Sequence, residues 1–250
     1  MSDVLIVPEF MLTWSFAVAV LAVFTAGIAR GMLGFGATLI VVPCLITIYG
    51  PIEAVVIASI IEIPAVLSLL PTAIKHADWG HVAPVGIASL ATIPLGAWLL
   101  VSLDPVVAQR VIAASVIIFA LLLATGWRYK RPPSLGVKIS VGAASGITSG
   151  LANIGGPLVV MFLVASNKAA AGVRAGIMAY FSISAAYRIA TYAVFGMYAS
   201  ASIGKGVALC IPYLIAIAIG ARLFPKVSEK LFLRLAIGLV VTAGIIALVK

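Results

Sequence analysis

Three charged side chains sit inside stretches that are otherwise apolar: Arg30 in "GIARGMLG", Glu62 in "SIIEIPAV" and Arg188 in "AAYRIATY". A charge at the centre of an apolar helix costs about 2.5–3.5 kcal/mol on insertion scales, so each is expected to face a cavity or an opposite charge. Arg188 has three readings: it coordinates an anionic substrate, it pairs with Glu62, or it snorkels to an interface. Glu62 either carries a coupling proton or neutralises Arg30 or Arg188.

Two glycine-bearing stretches supply chemistry of another kind. "GMLGFGATLIVVP" carries Gly34 and Gly36, and "GLANIGGPLVV" carries Asn153, Gly155 and Gly156. Glycine lets the backbone turn and lets a ligand reach the amides. A helix is expected to start just after each turn, at about Ala37 and at Pro157, where a missing N–H costs nothing. The unpaired amides and positive dipole end of such helices receive anions, and Asn153 adds a neutral side-chain donor. Glycines at fourfold spacing read differently: Gly142, Gly146 and Gly150, with Gly27 and Gly31, are expected at close helix contacts.

The elements that must hold these groups follow from composition. The chain has 250 residues, 64% hydrophobic and 9% charged, with mean hydropathy +1.26, which excludes a soluble globular protein. About 20 apolar residues cross a bilayer as helix, and most of the apolar runs between 11 and 249 are that long. The alternating pattern of a transmembrane barrel is absent, so an all-α polytopic membrane protein is expected. Residues 1–9 read as a tail rather than a removable leader, because Asp3 and Glu9 stand where a basic region would be needed. Cys44 and Cys210 lie in apolar segments without metal-ligand spacing; neither a metal site nor a cofactor is expected.

The net charge of +9 belongs to short loops and reads as a topology signal, with no nucleic-acid partner implied. Arg128, Lys130, Arg131 and Lys138 crowd one loop; Arg222, Lys226, Lys230 and Arg234 crowd another. Both are expected on the cytoplasmic side, with Lys75, Lys168 and Arg174, against Arg110, Lys205 and Lys250 opposite, where Asp3, Glu9, Glu53 and Asp104 also fall.

The central loop divides two similar halves. "GIARGMLGFGATLIV" (27–41) aligns with "GITSGLANIGGPLVV" (146–160) at an offset of 119, pairing Gly27 with Gly146, Gly31 with Gly150 and Gly36 with Gly155. At an offset of 124, Gly96 falls on Gly220 and Arg110 on Arg234. A duplication follows, with a tail at 1–9, a first transmembrane repeat at 10–127, a basic cytoplasmic loop at 128–138 and a second repeat at 139–250. Each half reads as one segment ending in the turn, one short segment and three of spanning length. Whether the first two cross or form a re-entrant pair, the crossings per half are odd, which gives two inverted-topology repeats with half-helices near the midplane.

The two turns, the "PLGAWL" helix start and the basic central loop make nearly the whole chain resemble the TauE/SafE sulfite exporter family, also called the toluene sulfonate uptake permease family. The resemblance implies a multi-pass carrier of the inner (cytoplasmic) membrane for sulfite, organosulfonates or related small sulfur-containing anions. It implies that Gly34, Phe35, Gly36 and Ala37, and Asn153, Ile154, Gly155 and Gly156, contribute to the substrate site. Family first turns commonly carry a run of glycines; Phe35 and Thr38 make this one bulkier, and Phe35 either contacts a sulfonate's organic tail or fills a gap.

The function expected is therefore a secondary transporter, not an enzyme, binding its anion at the midplane through both turns, Asn153 and Arg188. Access would alternate as one half rocks on the other; coupling to protons and coupling to sodium both fit. Direct drive by ATP is not expected without a nucleotide-binding loop. An anion channel using the same half-helix site is the main alternative. An intramembrane serine hydrolase built on Ser145 is a distant one, since His76 and His81 share one loop.

Overall fold

The computed structural model describes residues 9–33, 36–125, 134–164, 170–223, 238, 241, 242 and 244–248. After a 3₁₀ turn at Glu9–Leu12, these residues form α1 (Trp14–Leu33), α2 (Ala37–Tyr49), α3 (Pro51–His76), α4 (Trp79–Ser102) and α5 (Pro105–Ala124). There follow α6 (Leu135–Ala152), α7 (Gly156–Val164), α8 (Ala170–Val194) and α9 (Ser200–Leu223), with no strand among the described residues. Helices are the expected solution in hydrocarbon, because they satisfy their backbone polar groups internally.

Five of them, α1, α4, α5, α6 and α9, are long and apolar enough to cross a membrane. Trp14 and Trp79 stand exposed at helix starts, as interfacial tryptophans do, while Leu21, Ile87, Leu95, Ile118, Val207 and Ile211 are exposed along helix flanks, as apolar side chains that face lipid would be. The chain is an all-α, multi-pass membrane protein. At 13 and 9 residues, α2 and α7 are about 20 and 14 Å long at 1.5 Å per residue, short of the roughly 30 Å hydrocarbon core.

Helix ends carry local caps. Asp78 accepts from Gly80 N at 3.2 Å before α4, Asp104 from Val106 N at 2.9 Å before α5, and Ser134 from Val137 N at 3.4 Å before α6, each satisfying a first-turn donor. Glu53 and Lys205, assigned to one side by charge, form an ion pair at 2.8 Å, with the ammonium also 4.4 Å from the Tyr49 ring centroid. Lys138 Nζ donates to Gly80 O at 3.0 Å at the other end. The basic loop, except for its last residues, lies outside the described residues, as do Lys226, Lys230 and Arg234.

The most extensive packing joins α4 to α6 and α1 to α9, and glycine makes both seams. A Cβ on Gly150 would overlap Ile93 O and crowd Ala97 N; on Gly31 it would overlap Ile217 O and crowd Ala221 N. On Gly146 it would meet the backbone of Ser89 and the side chain of Thr92; on Gly27 it would meet Tyr213 O and Ala216 Cβ. Gly96 is pressed on Ile147 O and Gly220 on Ile28 O. Every partner in one seam differs from its counterpart in the other by 119 or 124 residues, the offsets found in the sequence. Small residues that bring backbones together are the usual basis of helix association in lipid.

Gly86 lies on α4 as well, with nothing within 4 Å of its missing Cβ. Gly96→Ala should therefore lower stability by about 1–3 kcal/mol through overpacking, whereas Gly86→Ala should leave it unchanged or raise it by up to about 1 kcal/mol through helix propensity. Thermal unfolding in detergent checks the contrast, and equal effects at the two positions would refute this account of the seam.

Candidate functional site

Each turn has a left-handed residue among its described residues. Gly36 has φ 86° and ψ 0° immediately before α2, a conformation costly for residues with a Cβ. Asn153 closes α6 with φ 60° and ψ 26°; asparagine is the side-chain-bearing residue that tolerates this region best. Its N–H donates to Ser149 O at 2.8 Å, and Tyr192 Oη donates to Gly150 O at 2.9 Å, satisfying carbonyls that the helix end leaves open. Gly34 and Phe35 lie outside the described residues.

A chain of hydroxyls holds the second turn. Ser145 Oγ donates to Gly155 O at 2.6 Å. Having spent its proton, Ser145 accepts from Tyr180 Oη at 2.8 Å, and Tyr180 in turn accepts from Ser89 Oγ at 2.8 Å. The turn is thereby tied to α6, α8 and α4. Gly155 has no space for a Cβ against Ser145 and Ser149, and one on Gly156 would strike the Phe181 ring. Ser145, the conceivable nucleophile, is fully buried and committed to this scaffold.

Between the turns lies a narrow cavity. Arg30, Gly36, Thr38 and Leu39 line it from α1 and the start of α2, and Glu62 lines it from α3. Ser149, Asn153, Gly156 and Pro157 line it from the second turn; Tyr180, Phe181, Ser184 and Arg188 line it from α8. Arg30, Glu62, Arg188, Gly36, Asn153 and Gly156 are thus brought together. Ala37, Ile154 and Gly155 are buried beside the cavity and are not part of its wall.

Glu62 serves both arginines unequally. Arg30 Nη1 donates to Glu62 Oε1 at 2.6 Å, while Arg188 Nη2 stands 3.7 Å from Glu62 Oε2, too far for a hydrogen bond. Arg188 is 3% exposed and Asn153 6%, yet Arg188 Nε, Arg188 Nη2 and Asn153 Nδ2 have no hydrogen-bond partner among the described residues. Snorkelling is therefore not what Arg188 does. Nε and Nη2 share one edge of the guanidinium, the fork that grips two oxygens of an anion. Buried donors are rarely left unmade, and the two residues that carry these three both line the cavity.

Sequence reasoning did not find Thr38, Ser149, Tyr180, Phe181 and Ser184. The signal on α8 was available: Tyr180, Ser184 and Arg188 recur at i, i+4 and i+8, one face of a helix.

Removing Glu62 leaves one buried and one largely buried cation unpaired, so Glu62→Ala should destabilise the protein by about 3–5 kcal/mol. Because Arg30 is the hydrogen-bonded partner, a second Arg30→Gln change should recover more of that loss than a second Arg188→Gln change. Melting temperatures of the single and double variants decide this; greater recovery with Arg188→Gln would reverse the assignment of the primary pair.

The sulfite exporter TauE/SafE family matches residues 19–248. No curated protein and no solved structure matches the chain significantly. The family match runs from within α1 past the end of α9 and takes in both turns, the cavity and both glycine seams, so the chain belongs to the sulfite exporter TauE/SafE family of membrane transport proteins.

Proposed function

We propose that the protein is a secondary transporter that carries sulfite or a small organosulfonate across the cytoplasmic membrane by alternating access, binding the anion in the cavity between the two turns. The observation that carries this reading is the set of unpaired, buried donors, Arg188 Nε and Nη2 with Asn153 Nδ2, on two residues that line the cavity from α8 and from the second turn. A sulfonate or sulfite group offers three oxygens, two for the guanidinium edge and one for the amide. The starts of α2 and α7 add the positive ends of two helix dipoles, and Gly34 and Phe35 would complete the first turn.

The chain is read as two inverted repeats, 10–127 and 139–250, joined by a cytoplasmic loop at 128–138. The residue-by-residue match of the two glycine seams supports the duplication. The broken-helix pairs α1/α2 and α6/α7 have the form that transporter substrate sites take near the midplane. Because the seams fasten α1 to α9 and α4 to α6, the bodies that move are these mixed pairs with their half-helices.

Asn153→Gly keeps the left-handed turn and removes only the amide. Loss of one hydrogen bond to a charged group is worth about 1.5–3 kcal/mol, so substrate affinity should fall roughly 10- to 100-fold with the melting temperature of the free protein nearly unchanged. Arg188→Gln should fall further. Uptake of labelled sulfite and of a labelled organosulfonate into proteoliposomes, with binding measured on the same preparations, tests both; undiminished flux in Asn153→Gly and Arg188→Gln would refute the site.

A further inference from the structure

The cavity holds two guanidinium groups and one carboxylate, Arg30, Arg188 and Glu62. The other titratable side chain in its wall is Tyr180; Tyr192 of α8 and Tyr213 of α9 stand near the arginines. Tyrosines are neutral near pH 7. With Glu62 ionised the site therefore has a net charge of +1, and the geometry shows where it resides. Arg30 is neutralised by Glu62 at 2.6 Å, while Arg188 keeps its free edge.

We infer that this site selects a singly charged oxyanion, a sulfonate or the hydrogensulfite form, and that Glu62 is the residue that rejects doubly charged ones. The inference rests on the anion-binding reading given above. A monoanion on Arg188 brings the buried group of charges to zero. A dianion leaves an uncompensated negative charge in a low-dielectric cavity, with Glu62 Oε2 only 3.7 Å from the Arg188 nitrogen that the ligand must share. Buried charge is tolerated only when paired, and a built-in like charge is how a site excludes a ligand of otherwise suitable shape. Glu62 thus acts as a fixed internal counter-anion that occupies half of the arginine pair.

Methanesulfonate and sulfate separate the two charges at nearly constant size, since a methyl group replaces one oxygen of the tetrahedron. Binding of each as its sodium salt, at pH 7.5 and matched ionic strength, is to be measured by calorimetry on the purified full-length protein. The wild type should bind methanesulfonate at least tenfold more tightly than sulfate. Glu62→Gln retains an oxygen for Arg30 and raises the site to +2, so the ratio should fall to one or invert. Adding Arg30→Gln to Glu62→Gln returns the site to +1 and should restore the preference for methanesulfonate. That pattern distinguishes charge selection from the general difficulty of dehydrating sulfate, which these substitutions would leave in place.

Sulfate bound by the wild type as tightly as methanesulfonate overturns the inference and leaves the anion site standing. An unchanged ratio in Glu62→Gln removes Glu62 from selectivity; if that variant does not fold, the double variant decides, since loss of the methanesulfonate preference there overturns the inference equally. Binding of neither anion, nor of sulfite, by folded wild type overturns the anion-site reading itself and this inference with it.

Discussion

The arrangement of Arg30, Glu62 and Arg188 constrains everything around it. Each comes from a different helix, α1, α3 and α8, and Glu62 and Arg188 are less than a tenth exposed. Ion pairs removed from water repay their desolvation only when geometry is close. The 2.6 Å contact between Arg30 and Glu62 meets that condition; the 3.7 Å approach of Arg188 does not. The fold thus stabilises one pair and leaves the third charge half-served at its centre. The neighbouring half-helix ends and Asn153 surround the charge that remains.

The second turn shows what it takes to keep irregular backbone inside a membrane protein. Gly155 O is satisfied by Ser145, the carbonyls ending α6 by Tyr192 and by the backbone N–H of Asn153, and Ser145 by Tyr180. These interactions recruit α4, α6 and α8 to one short loop. In consequence Tyr180 both braces the turn and lines the cavity, so the shape of the cavity wall and the rigidity of the backbone are not independent. The two seams of the proposed duplication match residue for residue, whereas the chemistry does not. At the offset of 119, Asn153 falls on Gly34 and Arg30 on Ser149, so each half supplies different functional groups to a common frame.

Much of this was legible in the chain because the bilayer simplifies the physics. Apolar length gave the helices, the shortness of the run after Pro157 gave a half-helix, and charges in apolar context pointed to Arg30, Glu62 and Arg188 before any geometry was known. The seam glycines were visible by their spacing. What sequence did not resolve was the choice among partners of Glu62, which depends on side-chain reach between helices 32 residues apart for Arg30. Nor did it separate the wall of the cavity from its backing: Ile154 and Gly155 look equivalent to Asn153 in a linear string, and a single left-handed residue sends them in different directions. Tyr180, Phe181 and Ser184 went unseen because an aromatic or serine on an apolar helix is ordinarily packing.

The glycine seams also impose an order on biogenesis. The partner of α1 is α9, and the partner of α4 is α6, so neither early helix can bury its glycine face against its neighbour in sequence. Synthesis reaches the end of α9, Leu223, long after the end of α1, Leu33, a delay of roughly 10–40 s at about 5–20 residues per second. Throughout that interval the translocon or surrounding lipid must hold α1 with its narrowest face unmatched, and this seam closes only once α9 has been made.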